Sequence, residues 1–287
     1  MKQFLTRFYH YMKSIYKQYT EAQLPFLAAQ TSFFVILAFF PFVAFTLTLI
    51  KETHLDDTLV MQALSSFLPT SAYILTLQIL ESAQANRNLF ISIGGVIASL
   101  WPFSRAVESL IVSINTVYDG EKHHPLKRLG LSLVLTAAFV LLIIISTILL
   151  LFGRYIGEVL FQYLGSPDTF IRVWDFLRYQ FSVLIALIIF MLLYKTIPVK
   201  KVRMGDIFPG AAFATIFWML LSFVFSLFMN RFFKFASIYG SIAGIILLIM
   251  WLFWAMHIIL IGAVINSVNA TWGIQNVKRL KISEKNS

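Results

Sequence analysis

Three polar residues follow a Trp-Pro pair inside an otherwise apolar stretch: Arg105, Glu108 and Asn115, after Trp101-Pro102. Polar and ionisable side chains in a hydrocarbon environment are costly, and each needs a partner or a purpose. On a helix, Arg105, Glu108, Ser109, Asn115 and Thr116 share one side, while Val107, Leu110, Ile111 and Ile114 share the other. Arg105 and Glu108, three residues apart, are placed to pair. Two readings stay open: a structural ion pair with interhelical glue, or the polar wall of a cytoplasm-facing cavity.

Other positions invite the same question. Gln30-Thr31-Ser32 lies early in an apolar run, where amide and small hydroxyl residues bond to a neighbouring helix. His257 stands alone in an apolar helix, as a hydrogen-bonded packing residue or as a proton relay. Tyr239 flanks a loop with Asn230 and Arg231. Pro41, Pro102 and Pro209 are helix-breaking residues, and broken spans can line a substrate path. The five histidines are scattered and no H-E-x-x-H spacing occurs, so no metal site is expected. No Walker A sequence, G-x-S-x-G elbow, paired-carboxylate site or Gly-rich dinucleotide loop is present, and there is no cysteine. Neither catalytic nor cofactor-binding residues are expected.

These residues sit in an unusual chain. Of its 287 residues 59% are hydrophobic and 13% charged, against roughly 45–50% and about 25% in soluble domains. So little polar surface implies lipid as the solvent. Uncharged windows long enough to cross a bilayer, roughly 20 residues, predict an all-α integral membrane protein with six transmembrane helices. The spans run at about 26–50, 88–104, 129–153, 179–194, 207–230 and 242–268. They form a membrane domain over 25–268, between a basic amphipathic helix at 1–24 and a basic, disordered tail at 269–287. No cleavable signal is expected. Residues 58–80 are also uncharged, but their apolar stripe and Pro69 fit an interfacial or re-entrant helix better than a span. One helix over 88–118 would be about 46 Å long at 1.5 Å per residue. A kink at Pro102, leading into an amphipathic extension, is therefore predicted.

Charge supports this count. With the N-terminus inside, the inside segments hold 16 of the 23 basic residues and 6 acidic ones. The outside segments hold 7 of each, so the whole net charge of +10 falls on one face. Both termini are therefore expected in the cytoplasm of a bacterium, with the protein in its inner membrane. Topology explains the basic balance, and no nucleic-acid partner is expected. Membrane lipids are the expected partners, with a homo-oligomer or envelope proteins as further candidates.

Several stretches, in order, resemble the YihY/BrkB family of bacterial inner-membrane proteins. They are Leu24 to Phe34 with Phe40-Pro41; Trp101 with Ser104-Arg105; Asn115 with Tyr118; Tyr194 to Pro198; Gly205-Asp206 with Pro209-Gly210; Ser237 to Ser241; and Trp251 with Gly262-Ala263 and Asn266. Tyr194 and Asn266 thereby join the candidate polar residues. Two departures stand out: Val264 replaces an acidic residue usual in the family, and Gln30-Thr31 stands where Tyr is frequent. The resemblance implies six spans with both ends inside. The family once carried a ribonuclease label, which these residues do not support. Relatives resembling exporters or flippases of envelope lipids suggest a transporter for an amphiphilic envelope molecule. A non-transporting scaffold for envelope enzymes is the alternative.

Overall fold

The computed structural model describes residues 2–52, 89–118, 124–139, 141, 167–232 and 236–285. Every element among them is a helix: α1 (Lys2–Glu21), α2 (Leu24–Glu52), α3 (Leu89–Val117), α4 (125–139), α5 (Pro167–Thr196), α6 (Met204–Phe232) and α7 (Ala236–Lys285). Two described stretches are long and apolar enough to cross a membrane, Met204–Phe228 in α6 and Ile246–Trp272 in α7. A third candidate is the bent pair Leu5–Glu21 and Leu24–Ala38. The expected spans 26–50 and 179–194 fall within α2 and α5, and the described part of 88–104 lies in α3. Only the first part of 129–153 is described, and the proposed interfacial segment 58–80 lies outside the described residues.

α7 is the central element. Half of its apolar window is buried, against 17% for α6. Its Leu260, Ala263 and Val264 meet Leu24 and Ala28 of α2, Ile111 and Ile114 of α3, and Ile207 and Ala211 of α6 in one core. The outer face of α6 carries exposed Ile216, Phe223 and Val224, a surface suited to lipid.

The course of α3 and the end of the last helix add to the expectations, and the second corrects one. α3 passes through Pro102 without a break, so one helix carries both the apolar half and the polar half. Its polar half packs into the bundle, with Ser109, Ser113 and Asn115 buried. The last helix does not stop near 268: the mixed stretch 269–273 stays helical and α7 runs to Lys285, about 75 Å at 1.5 Å per residue. Trp272 there packs edge-on against Tyr11 of α1, ring centroids 5.5 Å apart, which gives that stretch a partner.

α1 docks on the bundle with one face. Gln18 Nε2 donates to the Val117 carbonyl at 2.7 Å, satisfying an orphan carbonyl at the end of α3. Tyr19 reaches His257 of α7. The chain then bends by 55° into α2, with Gln23 in the left-handed region at φ 51°.

α6 and α7 cross where neither helix has a side chain. A Cβ on Gly210 would come within 2.0 Å of the Gly262 carbonyl oxygen, and one on Gly262 within 2.4 Å of the Tyr194 hydroxyl. Gly210→Ala should therefore force α6 away from α7, costing about 1–3 kcal/mol as an overpacking substitution. Gly205→Ala, five residues before Gly210 and with nothing within 4 Å of its Cβ, should be neutral or slightly stabilising. Thermal unfolding in detergent, followed by tryptophan fluorescence, checks the pair.

Candidate functional site

The polar residues of α3 hold other elements. Glu108 lies between two arginines: Arg105 Nη1 donates to its Oε2 at 2.7 Å, and Arg128 Nε of α4 approaches its Oε1 at 2.7 Å. Arg105 also sits 5.5 Å from the Trp101 ring centroid, a cation–π contact. One turn before Glu108, Ser104 and Ser132 share a hydrogen bond of 3.2 Å across α3 and α4. Arg128, Ser132 and Thr136 are four residues apart and form the face by which α4 leans on α3.

Asn115 is seven residues on from Glu108, so it faces the same way about 10 Å along the helix. It is buried and grips the connection between α5 and α6. Its Nδ2 donates to Ile111 O at 2.9 Å and to Ile197 O at 3.1 Å, and its Oδ1 accepts from Val199 N–H at 2.9 Å. Lys195 completes this turn by donating to Val202 O.

Both walls thus hang from α3, and they do not close on each other. Between them lies a cleft of about 450 Å³. Lys127, Gly130, Leu131 and Val134 of α4 form one side, and Thr196, Pro198 and Val199 form the other. The sequence-predicted stripe does not line this cleft; it positions the walls. The lining residues were not singled out from sequence. The only available signal was the i, i+3, i+4, i+7 spacing of Lys127, Gly130, Leu131 and Val134, which is common on any helix.

A second polar cluster lies behind Asn115. Asn266 of α7 is fully buried, and its Oδ1 accepts from Gly210 N–H at 2.7 Å. That amide follows Pro209, where the first turns of α6 lose a backbone donor. Asn269 Nδ2 approaches Asp206 O at 3.5 Å in the same turn. Tyr194 is buried and donates to Ile259 O at 2.7 Å, a bond that needs Gly262 beneath it. The Tyr118 hydroxyl is buried beside Asn266, yet neither it nor Asn266 Nδ2 makes a hydrogen bond of full geometry. Burial raises the Tyr118 hydroxyl far above its ordinary value of 10.0; the Asn266 side chain works against the rise and Asp206 adds to it. Tyr118 is therefore a neutral hydroxyl here.

The remaining candidates are scattered. His257 Nε2 lies 3.0 Å from the Tyr19 hydroxyl, among the rings of Phe253 and Trp254. Gln30 is exposed, while its neighbour Thr31 bonds to Ser109 and Ser113 of α3 at 3.2 and 3.0 Å. Val264, at the position usually acidic in the family, is wholly buried in the core. The side chains of Pro41 and Tyr239 lie outside the described residues. Among the described residues, no three His, Cys, Asp or Glu side chains are grouped to hold a metal ion.

An apolar helical bundle with lipid-suited faces and a polar-braced cleft defines a helical membrane protein. The chain belongs to the BrkB family: the family model described as "Virulence factor BrkB" matches residues 15–282. A ribonuclease-like protein of Bacillus subtilis, YfkH, is 34% identical over 259 residues, covering 90% of this chain and 94% of its own. A "UPF0761 membrane protein" of Cronobacter sakazakii is 23% identical, covering 88% and 86%. The "UPF0761 membrane protein YihY" of Shigella sonnei is 25% identical, covering 69% and 66%. No solved structure matches.

Asn115→Ala removes three hydrogen bonds and strands the Val199 N–H, at a cost of about 2 kcal/mol. The turn should loosen, and limited trypsin digestion should cut after Lys200 or Lys201 about thirtyfold faster, each 1.4 kcal/mol being a factor of ten. Glu108→Gln, which loosens the other wall, should leave that cleavage rate unchanged.

Proposed function

We propose that this chain is a six-span protein of the bacterial cytoplasmic membrane, with both ends inside, that transports or flips an amphiphilic envelope molecule. The observation that carries the reading is the cleft between α4 and the 196–199 turn, lined by apolar side chains together with Lys127. Such a mixed lining suits a molecule with an apolar tail and an anionic head. Charge supports the orientation, since the basic segments at the cleft match the face that carries the whole excess of +10. α3, braced at Glu108 and Asn115, keeps the walls apart.

We read the chain as non-enzymatic. The name of the Bacillus subtilis relative mentions ribonuclease, but nuclease chemistry needs a carboxylate free to bind metal or move a proton. Glu108, which braces the α4 wall of the cleft, is held by two arginines. RNA incubated with purified protein should stay intact, and cleavage lost on Glu108→Gln would revive the enzyme reading.

Two measurements check the main reading. The chain has no cysteine, so single-cysteine reporters report cleanly. Ser283→Cys should resist a membrane-impermeant maleimide in intact cells, and His54→Cys should react. Proteoliposomes should translocate a fluorescent anionic lipid faster than protein-free liposomes, and Asn115→Ala should slow this. Equal rates with and without protein would remove the transport reading and leave a scaffold.

A further inference from the structure

We infer that the cleft seats the phosphate head group of an anionic membrane lipid, with Lys127 selecting the charge and Gly130 leaving the room. This rests on the membrane placement proposed above but not on transport. About 450 Å³ falls within the range of roughly 300–1,000 Å³ found for small-molecule sites. The apolar part of the lining comes from Leu131 and the exposed Val134 on α4 and from Pro198 and Val199 on the turn. A lipid's glycerol and first methylenes match it.

Charge fixes the sign of the head group. Lys127 lines the cleft and has no carboxylate partner among the described residues, whereas its neighbour Arg128 is used by Glu108. The opposite turn continues into exposed Lys200 and Lys201. Of the described residues lining the cleft, none is acidic. Lys127 also lies in the first turn of α4, where the helix dipole favours an anion. Gly130, one turn on, has nothing within 4 Å of where its Cβ would lie, so the space is open above the backbone.

The test uses the full chain with one cysteine, Val134→Cys, carrying a bimane fluorophore. The protein is reconstituted into phosphatidylcholine vesicles in which brominated phosphatidylglycerol, or brominated phosphatidylcholine, is a minor component. Bromine quenches bimane only on contact. Phosphatidylglycerol should associate about fivefold more strongly than phosphatidylcholine, as expected for one basic residue at an anionic lipid. Lys127→Ala should bring that ratio close to one, and Gly130→Leu should weaken quenching by both lipids. A bimane on Leu227→Cys, on the lipid-exposed face of α6, should show no preference.

Preference that persists in Lys127→Ala, or quenching untouched by Gly130→Leu, would overturn the assignment. Displacement of the brominated lipid by millimolar inorganic phosphate would mean a soluble-anion site and would also overturn it. The two proposals separate cleanly. Head-group preference at Val134 without translocation would sink transport and leave the seat standing. Translocation without preference at Val134 would do the reverse.

Discussion

A buried carboxamide anchors the cleft. Asn115 uses both ends of its amide to hold a non-helical turn against a helix: it donates to Ile197 O and accepts from Val199 N–H, while a second donation to Ile111 O ties it to its own helix. In an apolar bundle, the backbone groups of a turn such as 197–199 have little water to bond, and leaving them unpaired costs several kcal/mol. A side chain that supplies both donor and acceptor at one spot solves this. Alanine would supply neither, and aspartate would lose both donations. α3 must therefore stay helical and in register past Pro102, or Asn115 would face elsewhere.

The same register sets Glu108. Seven residues back on the same face, it meets Arg128 and fixes α4. A short, half-exposed helix gains little from a surface ion pair alone. Glu108 is only 13% exposed, and the Ser104–Ser132 bond sits one turn away, so the contact is a small network. α4 and the turn are thus held from behind, by α3, and not by each other. That arrangement leaves a gap, whereas mutual packing would have filled it.

Behind α3, close backbone approach replaces side-chain packing. The missing side chains of Gly210 and Gly262 let α6 and α7 touch, so Asn266 can reach Gly210 N–H and Tyr194 can reach Ile259 O. Pro209 makes the first bond more than decorative, because the turn it disrupts needs outside partners. α1 ties this core from outside through Gln18 and Tyr19. The lone His257 is engaged by Tyr19 through Nε2 and ringed by the aromatics Phe253 and Trp254.

Composition and uncharged window length determined a helical membrane protein, since lipid penalises charge and unpaired backbone whatever the order of the helices. The sequence also marked Arg105, Glu108 and Asn115 as one polar face, because helical periodicity is local. It could not say what that face meets, as a partner is set by the register of helices distant in the chain: Asn115 and Val199 are 84 residues apart. For the same reason the run Gln30-Thr31-Ser32 could be marked as a whole, while only the structure shows that Thr31 makes the contact across to α3 and Gln30, about 100° away around α2, does not. Gly210, Gly262 and Tyr118 were marked only through the family resemblance, and Lys127 not as a site residue at all, because a glycine crossing or a cleft wall exists only once two surfaces meet. The sequence determined which residues lipid would not tolerate alone; the tertiary structure decided what each is bonded to, and where bonding from behind left a space.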